Sequence, residues 1–399
     1  MHRASTTAPV QVPDQVPDAR WRAARRVLAV RLDNLGDVVM TTPALAAIRR
    51  GLPHAHLALL ASRSGAALAP HLPMVDEAIV LDAPWVQQPL GEGEGEGQDP
   101  GVREAKWIEA LRNRRFDAAI IFTVCTQSAL PAALWCRLAG IPLRLAHSRE
   151  NPYGLLTDWV RDTEVVADGM RHEVERQLAL VAAVGLRPDA DELVFRVDPG
   201  DAERCRARLA AAGLDPMRPY FVVHPGATAP SRRYPAEGFG AAAQALARAT
   251  GFVPVFSGSA GEQALVDTAR QRMAEPSLCL AGRLALGEFG ALIQGARLLL
   301  ANNTGPVHLA AALGTPVVDL YALTNPQHTP WRVASRVLNH DVPCRNCLKS
   351  VCPQGHHACL RAVTPEAVVA AALDLLDAEA TAQSLTDRSG QRSQGVEAA

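Results

Sequence analysis

Aromatic side chains are few in this sequence, and net charge is almost absent. Phe, Trp and Tyr make up 5% of 399 residues, and 40 basic against 41 acidic residues leave a formal charge of -1. The first scarcity predicts aliphatic cores, with Ala-, Leu- and Val-rich helices packed on sheets. The second excludes a nucleic-acid binder that relies on a broad basic field, so an anionic ligand needs a local basic pocket. No apolar run approaches the ~20 residues that span a bilayer, and the opening MHRASTTAPVQVPDQVPDAR lacks the apolar stretch of a signal peptide. The expected location is the cytosol. Trp21, flanked by Arg20, Arg22, Arg25 and Arg26, has two readings: contact with an anionic membrane surface, or a solvated cap before the first strand. Neither a G-x-G-x-x-G fingerprint nor a G-x-x-x-x-G-K-[ST] loop occurs, which weighs against dehydrogenases and kinases.

What is present is alternation. VLAVRL (27–32), HLALL (56–60), AIVL (78–81) and DAAIIF (117–122) are separated by amphipathic stretches, the signature of βαβ units and a parallel sheet. A second series begins at YFVVH (220–224) and runs through FVPVFSG, LCLAG, RLLLAN (297–302) and PVVDLY. The length suits two domains of ~150 to 200 residues. Residues 1–20 and 379–399 read as disordered tails, 21–205 as the first doubly wound α/β domain, 206–362 as the second, and 363–378 as a C-terminal helix. GEGEGEGQDPG (91–101) reads as a flexible surface loop. Two such halves predict ligands at the carboxyl ends of both sheets, in the cleft between them.

Three segments carry chemistry. In RLDNLGDVVMTTPAL (31–45), a strand leads through a Gly turn into a helix that Pro43 is expected to enter at its first turn. Two roles are open for Asp37: general base on an acceptor hydroxyl, or a helix cap, for which Asp33 also qualifies. In VVHPGATAPSRRYPAEGF (222–239), Thr228, Ser231, Arg232 and backbone amides are candidates to bind a phosphate. In LLLANNTGPVHLAAALGTPVV (298–318), Thr304 and Gly305 precede a helix whose amide end favours an anion. His308, one turn in, is either a donor to that anion or a packing residue.

Taken in this order, the segments GDVV-TTPAL, HPGAT and NTGP-HLAAALGTPVV resemble glycosyltransferase family 9, the heptosyltransferases, over residues 27–375. The resemblance implies a GT-B fold of two Rossmann-like domains, the first for the acceptor and the second for a nucleotide-sugar donor. It also implies inverting, metal-independent sugar transfer, with ADP-heptose as donor and a lipopolysaccharide core or related glycan as acceptor. Asp37 then matches the family's base, Thr228 and Arg232 the phosphate ligands, and Thr304, Gly305 and His308 the diphosphate turn. Glu262 falls where an acidic residue holds the donor ribose. Asn303 departs from the family's usual Asp, which holds donor sugar hydroxyls; asparagine bonds hydroxyls without charge. Alternatives are a GT-B enzyme using another nucleotide sugar, an epimerase included, or a non-catalytic sugar-nucleotide binding protein. Peripheral contact with the inner membrane is compatible with such an acceptor.

Arg63, Arg144 and Arg149 have two readings, as ligands of an anionic acceptor or as solvated arginines. Cys344, Cys347, Cys352 and Cys359, with His356 and His357 among them, have ligand types and spacing that suit a structural Zn²⁺; reduced thiols packing a loop are the other reading. No cofactor is expected for catalysis.

Overall fold

The computed structural model describes residues 18–86 and 100–394. Most of the glycine-glutamate segment and the ends of both expected tails lie outside the described residues.

The first half runs α1 (Ala19–Arg22), β1 (Arg26–Arg31), α2 (Leu35–Gly51), β2 (His56–Ala61), α3 (Arg63–Ala66), β3 (Glu77–Val80), α4 (Pro100–Asn113), β4 (Ala118–Ile121), α5 (Leu130–Leu138), β5 (Leu143–Ser148), β6 (Asp158–Arg161) and α6 (Glu173–Ala182). The second runs α7 (Pro199–Ala211), β7 (Tyr220–His224), α8 (Ala236–Thr250), β8 (Val253–Phe256), α9 (Gln263–Arg270), β9 (Leu278–Cys279), α10 (Leu286–Gln294), β10 (Leu299–Asn302), α11 (Gly305–Leu313), β11 (Val317–Leu320), β12 (Ser335–Leu338), α12 (Ala358–Arg361) and α13 (Pro365–Gln394).

Each half holds a six-stranded parallel sheet, ordered β3-β2-β1-β4-β5-β6 and β12-β11-β10-β7-β8-β9. The strand order reverses between β1 and β4 in one and between β7 and β10 in the other. Such reversals open a crevice at the carboxyl ends of the strands, so they fix where ligands bind. The apolar strands are buried on both faces: Val27 and Ala29 pack on one side of β1, Leu28 and Val30 on the other. One apolar cluster, from Val38 on α2 to Val307 on α11, continues across the two halves.

Four expectations change. Trp21 is fully buried in the first core, which removes it as a membrane contact. Pro43 lies inside α2 rather than at its start; the ring leaves Val39 O without its amide donor, and Thr42 Oγ1 donates there instead at 2.6 Å. The boundary expected at 205/206 falls within α7, which packs on α10, so the crossing between halves precedes Pro199. The last helix lies against α8, β11 and β12 and continues to Gln394, through the segment expected to be a disordered tail.

Candidate active site

At the first reversal the sequence places a charge where the strand is otherwise apolar. Arg31 closes β1 with no solvent exposure, and its guanidinium holds three carboxylates: Nε lies 3.0 Å from Asp33, and one terminal nitrogen lies 3.3 Å from Asp37 and 2.9 Å from Glu173 of α6. Asp37 forms the helix cap, its Oδ2 accepting from the Asn34 N–H at 3.1 Å. Capping does not shut it away, because the side chain keeps 15% exposure and turns Oδ1 toward Arg31. Burial is the largest single influence and works against ionising Asp37, but Arg31, the neighbouring His328 and His308 and the Asn34 N–H together outweigh it, and the pKa stays below the usual carboxylate value. Asp33, more deeply desolvated and repelled by Asp37, is raised to about 6. Unequal environments thus separate two neighbouring carboxyls, as sites of proton transfer commonly do.

At the second reversal, the turn after β7 carries Thr228, which is exposed, while Arg232 is half-buried with Nε lacking a hydrogen-bond partner. Ser231 is not open to a ligand: its hydroxyl donates to Lys349 O at 2.6 Å and its N–H to Ser350 O at 3.0 Å. The Glu262 carboxylate accepts from the Ser259 N–H and hydroxyl, and it lies so close to Gly226 that a β-carbon there would push it aside. Asn302, fully buried, ties the two donor-side turns together by donating to Pro225 O at 2.8 Å and accepting from the Tyr234 N–H at 2.8 Å. Asn303 donates to Asp319 at 2.9 Å and to His328 O at 2.8 Å, so its amide is tied into the second sheet. Asp319 is pushed up to about 8 by burial and is neutral at pH 7.

The two reversals meet. A β-carbon at Gly36 would fall 2.8 Å from the His308 ring and 3.4 Å from Gly305 Cα, and one at Gly305 would fall 3.0 Å from Leu35. The amino ends of α2 and α11 therefore face each other at backbone contact, and Thr304 and Gly305 are half-buried rather than open. His308 is 3% exposed with Nδ1 unpartnered, and burial, aided by His328, holds its pKa down to about 3. It is a neutral ring at physiological pH.

That shift has a sign. Between about pH 3 and 6.5 the unfolded chain binds a proton that the folded chain refuses, so acid removes stability. Relative to a His308→Asn variant, the wild type is expected to lose about 1 kcal/mol between pH 6.5 and 5.5. Urea unfolding of both proteins at the two pH values measures the difference, and parallel curves would refute it.

The arginines separate. Arg144 donates to the carbonyls of Leu155, Pro142, Gly154 and Ile141 and is buried, so it holds loops together and is not an acceptor ligand. Arg149 donates to Glu164 O and lies 3.7 Å from Asp162; Arg63 is exposed at the start of α3, 3.8 Å from Asp82. The four clustered cysteines are free thiols, and among the described residues no three His, Cys, Asp or Glu side chains gather as metal ligands. Cys344 Sγ lies 3.8 Å from His356 Nε2, about the spacing of two ligands on one tetrahedral ion, but among the described residues no third ligand joins them. Elemental analysis of protein purified without chelator is expected to find less than about 0.2 zinc per chain; a value near one would restore the metal knuckle.

Sequence reasoning missed Arg31, Glu173, Asp319 and His328. For Arg31 and Asp319 a signal existed, a single charge inside an apolar strand (VLAVRL, PVVDLY). For Glu173 none did, since its partner lies 142 positions away.

The sequence profile of glycosyltransferase family 9 (heptosyltransferase) matches residues 105–358. Lipopolysaccharide heptosyltransferase 2 of Escherichia coli K12 is 28% identical over 360 residues, 86% of this chain and 96% of that protein. Lipopolysaccharide heptosyltransferase 1 of Pseudomonas aeruginosa is 28% identical over 329 residues, 82% and 87%. Among solved structures, a family 9 glycosyltransferase from Veillonella parvula superposes with a TM-score of 0.71 at 21% identity, covering 88% of this chain and 97% of that one. E. coli ADP-heptose lipopolysaccharide heptosyltransferase II gives 0.67 at 24%, covering 89% and 99%. Two facing parallel-sheet domains make this the GT-B fold, and with more than half its length matched by the family profile, the chain belongs to glycosyltransferase family 9 and is a glycosyltransferase.

Proposed function

We propose that the chain transfers heptose from ADP-heptose to a lipopolysaccharide core or related glycan, inverting the anomeric carbon and using no metal ion. The donor and acceptor come from its relatives, whose names give lipopolysaccharide heptosyl transfer. The observation that carries the mechanism is the meeting of Leu35 and Gly36, next to Asp37 in one domain, with the amino end of α11 in the other. In the proposed step an acceptor hydroxyl attacks the anomeric carbon from the face opposite the diphosphate. Asp37 takes its proton, and the bond from carbon to the diphosphate oxygen breaks. The charge that gathers on the leaving group falls to the α11 amides, the Thr228 hydroxyl and Arg232, which replaces what a divalent ion supplies elsewhere. Glu262, beside the turn at Gly226, takes the ribose hydroxyls. The acceptor binds the first domain and meets the enzyme at the cytoplasmic face of the inner membrane; no described helix is long and apolar enough to cross it.

Mass spectrometry of a core acceptor incubated with ADP-heptose and the purified chain tests the reading. A gain of one heptose, of inverted anomeric configuration and undiminished by EDTA, is the expected result. Transfer from another nucleotide sugar alone would overturn the donor assignment.

A further inference from the structure

Beside Asp37, on the far edge of the Arg31 guanidinium, lies a cavity of about 280 Å³ that the proposed mechanism leaves without an occupant. It opens at the carboxyl ends of β1 and β4, the reversal point of the first sheet, and is close to the lower limit of ~300 Å³ usual for small-molecule sites. Its polar groups are unusual in kind. Asp33 lines it, with Oδ1 accepting from Gln127 Nε2 at 2.6 Å. Thr123 lines it as well, 9% exposed, with a buried hydroxyl that has no hydrogen-bond partner. Buried hydroxyls in native proteins are nearly always paired, so an orphan on a cavity wall points to something the cavity receives. Trp85 forms part of the wall and is braced edge-on by Trp135, with ring centroids 4.8 Å apart.

Among the described residues no lysine, arginine or histidine lines this cavity. Arg31, which holds the lining residue Asp33, has its charge already shared among three carboxylates. An anionic group entering here meets Asp33 and finds no counter-charge, a repulsion that a desolvated wall strengthens. A neutral ring bearing several hydroxyls meets the reverse. It can donate to Asp33, exchange hydrogen bonds with Thr123 and Gln127, and lay its C–H face on Trp85.

We propose that this cavity is the acceptor-sugar subsite and that Asp33, Thr123 and Gln127 select a neutral polyhydroxylated ring over an acidic one. This rests on the glycosyl-transfer reading and narrows its acceptor class. It also replaces the idea that Arg63, Arg144 and Arg149 draw in an anionic sugar, since none of them lines the cavity.

The test uses the full chain with ADP present and two probes, a neutral methyl heptopyranoside and the carboxylated methyl glycoside of a 2-keto sugar acid. Saturation-transfer NMR titration gives a Kd for each. The neutral probe is expected to bind at least about tenfold more tightly than the acidic one. Thr123→Val should weaken the neutral probe roughly three- to tenfold, the worth of one hydrogen bond, and Thr123→Ser should restore it. Asp33→Asn should bring the two probes toward equal affinity, a change in ratio that a merely structural role would not produce. Tighter binding of the acidic probe, or neutral-probe binding indifferent to Thr123→Val, would overturn the proposal. So would failure of both probes while ADP still binds, leaving the transfer reading intact; loss of ADP binding itself would instead count against that reading.

Discussion

Asp37→Asn is expected to lower single-turnover transfer by about 10²- to 10⁴-fold, the usual worth of a general base, while leaving the melting temperature nearly unchanged. Asparagine is the informative replacement because the proposal gives Asp37 two tasks. Its Oδ2 caps α2 through the Asn34 N–H, and an amide oxygen can accept the same bond. What asparagine cannot do is take a proton. Asp37→Ala should show both losses, the catalytic one and about 1 kcal/mol from the missing cap. The low pKa matters here, since a base must be ionised before the hydroxyl arrives, and the guanidinium of Arg31, with the Asn34 N–H and the neighbouring histidines, keeps Asp37 so against its burial. Single-turnover kinetics at saturating acceptor beside thermal unfolding decides the matter, with Asp33→Asn for comparison. Near-normal transfer in folded Asp37→Asn, or a larger catalytic loss in Asp33→Asn, would remove Asp37 from the role.

The second large effect concerns stability. Arg31→Met should destabilise the fold by about 3 to 5 kcal/mol, because removing one side of a buried ionic cluster leaves the other side's charge uncompensated. Glu173 has no solvent exposure, and besides Arg31 it has Gln177 as a donor at 2.6 Å, while its second oxygen has no partner. With the arginine gone, Asp33, Asp37 and Glu173 would share a buried space without a counter-charge. Glu173→Gln in the Arg31→Met background should therefore recover part of the loss, so that the double change costs less than the two single changes added. Strict additivity in chemical denaturation would show that the three carboxylates do not act on one another through Arg31.

Much of this was legible in the sequence because strands buried on both faces must be apolar throughout. VLAVRL, HLALL, YFVVH and RLLLAN announce themselves, and the Gly turns that follow β1 and β10 mark the two reversals. Two of the four edge strands, β6 and β12, were not legible. DWVR of β6 and SRVL of β12 are four residues each, the first alternately exposed and the second half-buried except at Val337, and both look like loop. Trp21 and its arginines show how local composition misleads, since four charges hide a side chain that is wholly core. Asn303 and Asp319 show the complementary limit. Their pairing joins the end of β10 to the middle of β11, and nothing in either segment alone states which amide hydrogen goes where. The cluster around Arg31 unites residues from β1, the turn after it, α2 and α6, and only the packing of α6 against α2 brings the last member in.

Where Gly36 faces Gly305 there is width for two backbones and nothing more. A nucleoside diphosphate cannot slip past that point while the halves are pressed together. On the proposed mechanism, each round of transfer contains two mechanical movements besides the chemistry, a parting that admits the donor and frees the spent nucleotide, and a return that brings the proposed proton acceptor back within reach. A valine at either glycine would work as a doorstop, holding the halves ajar so that nucleotide comes and goes while the sugar never leaves it.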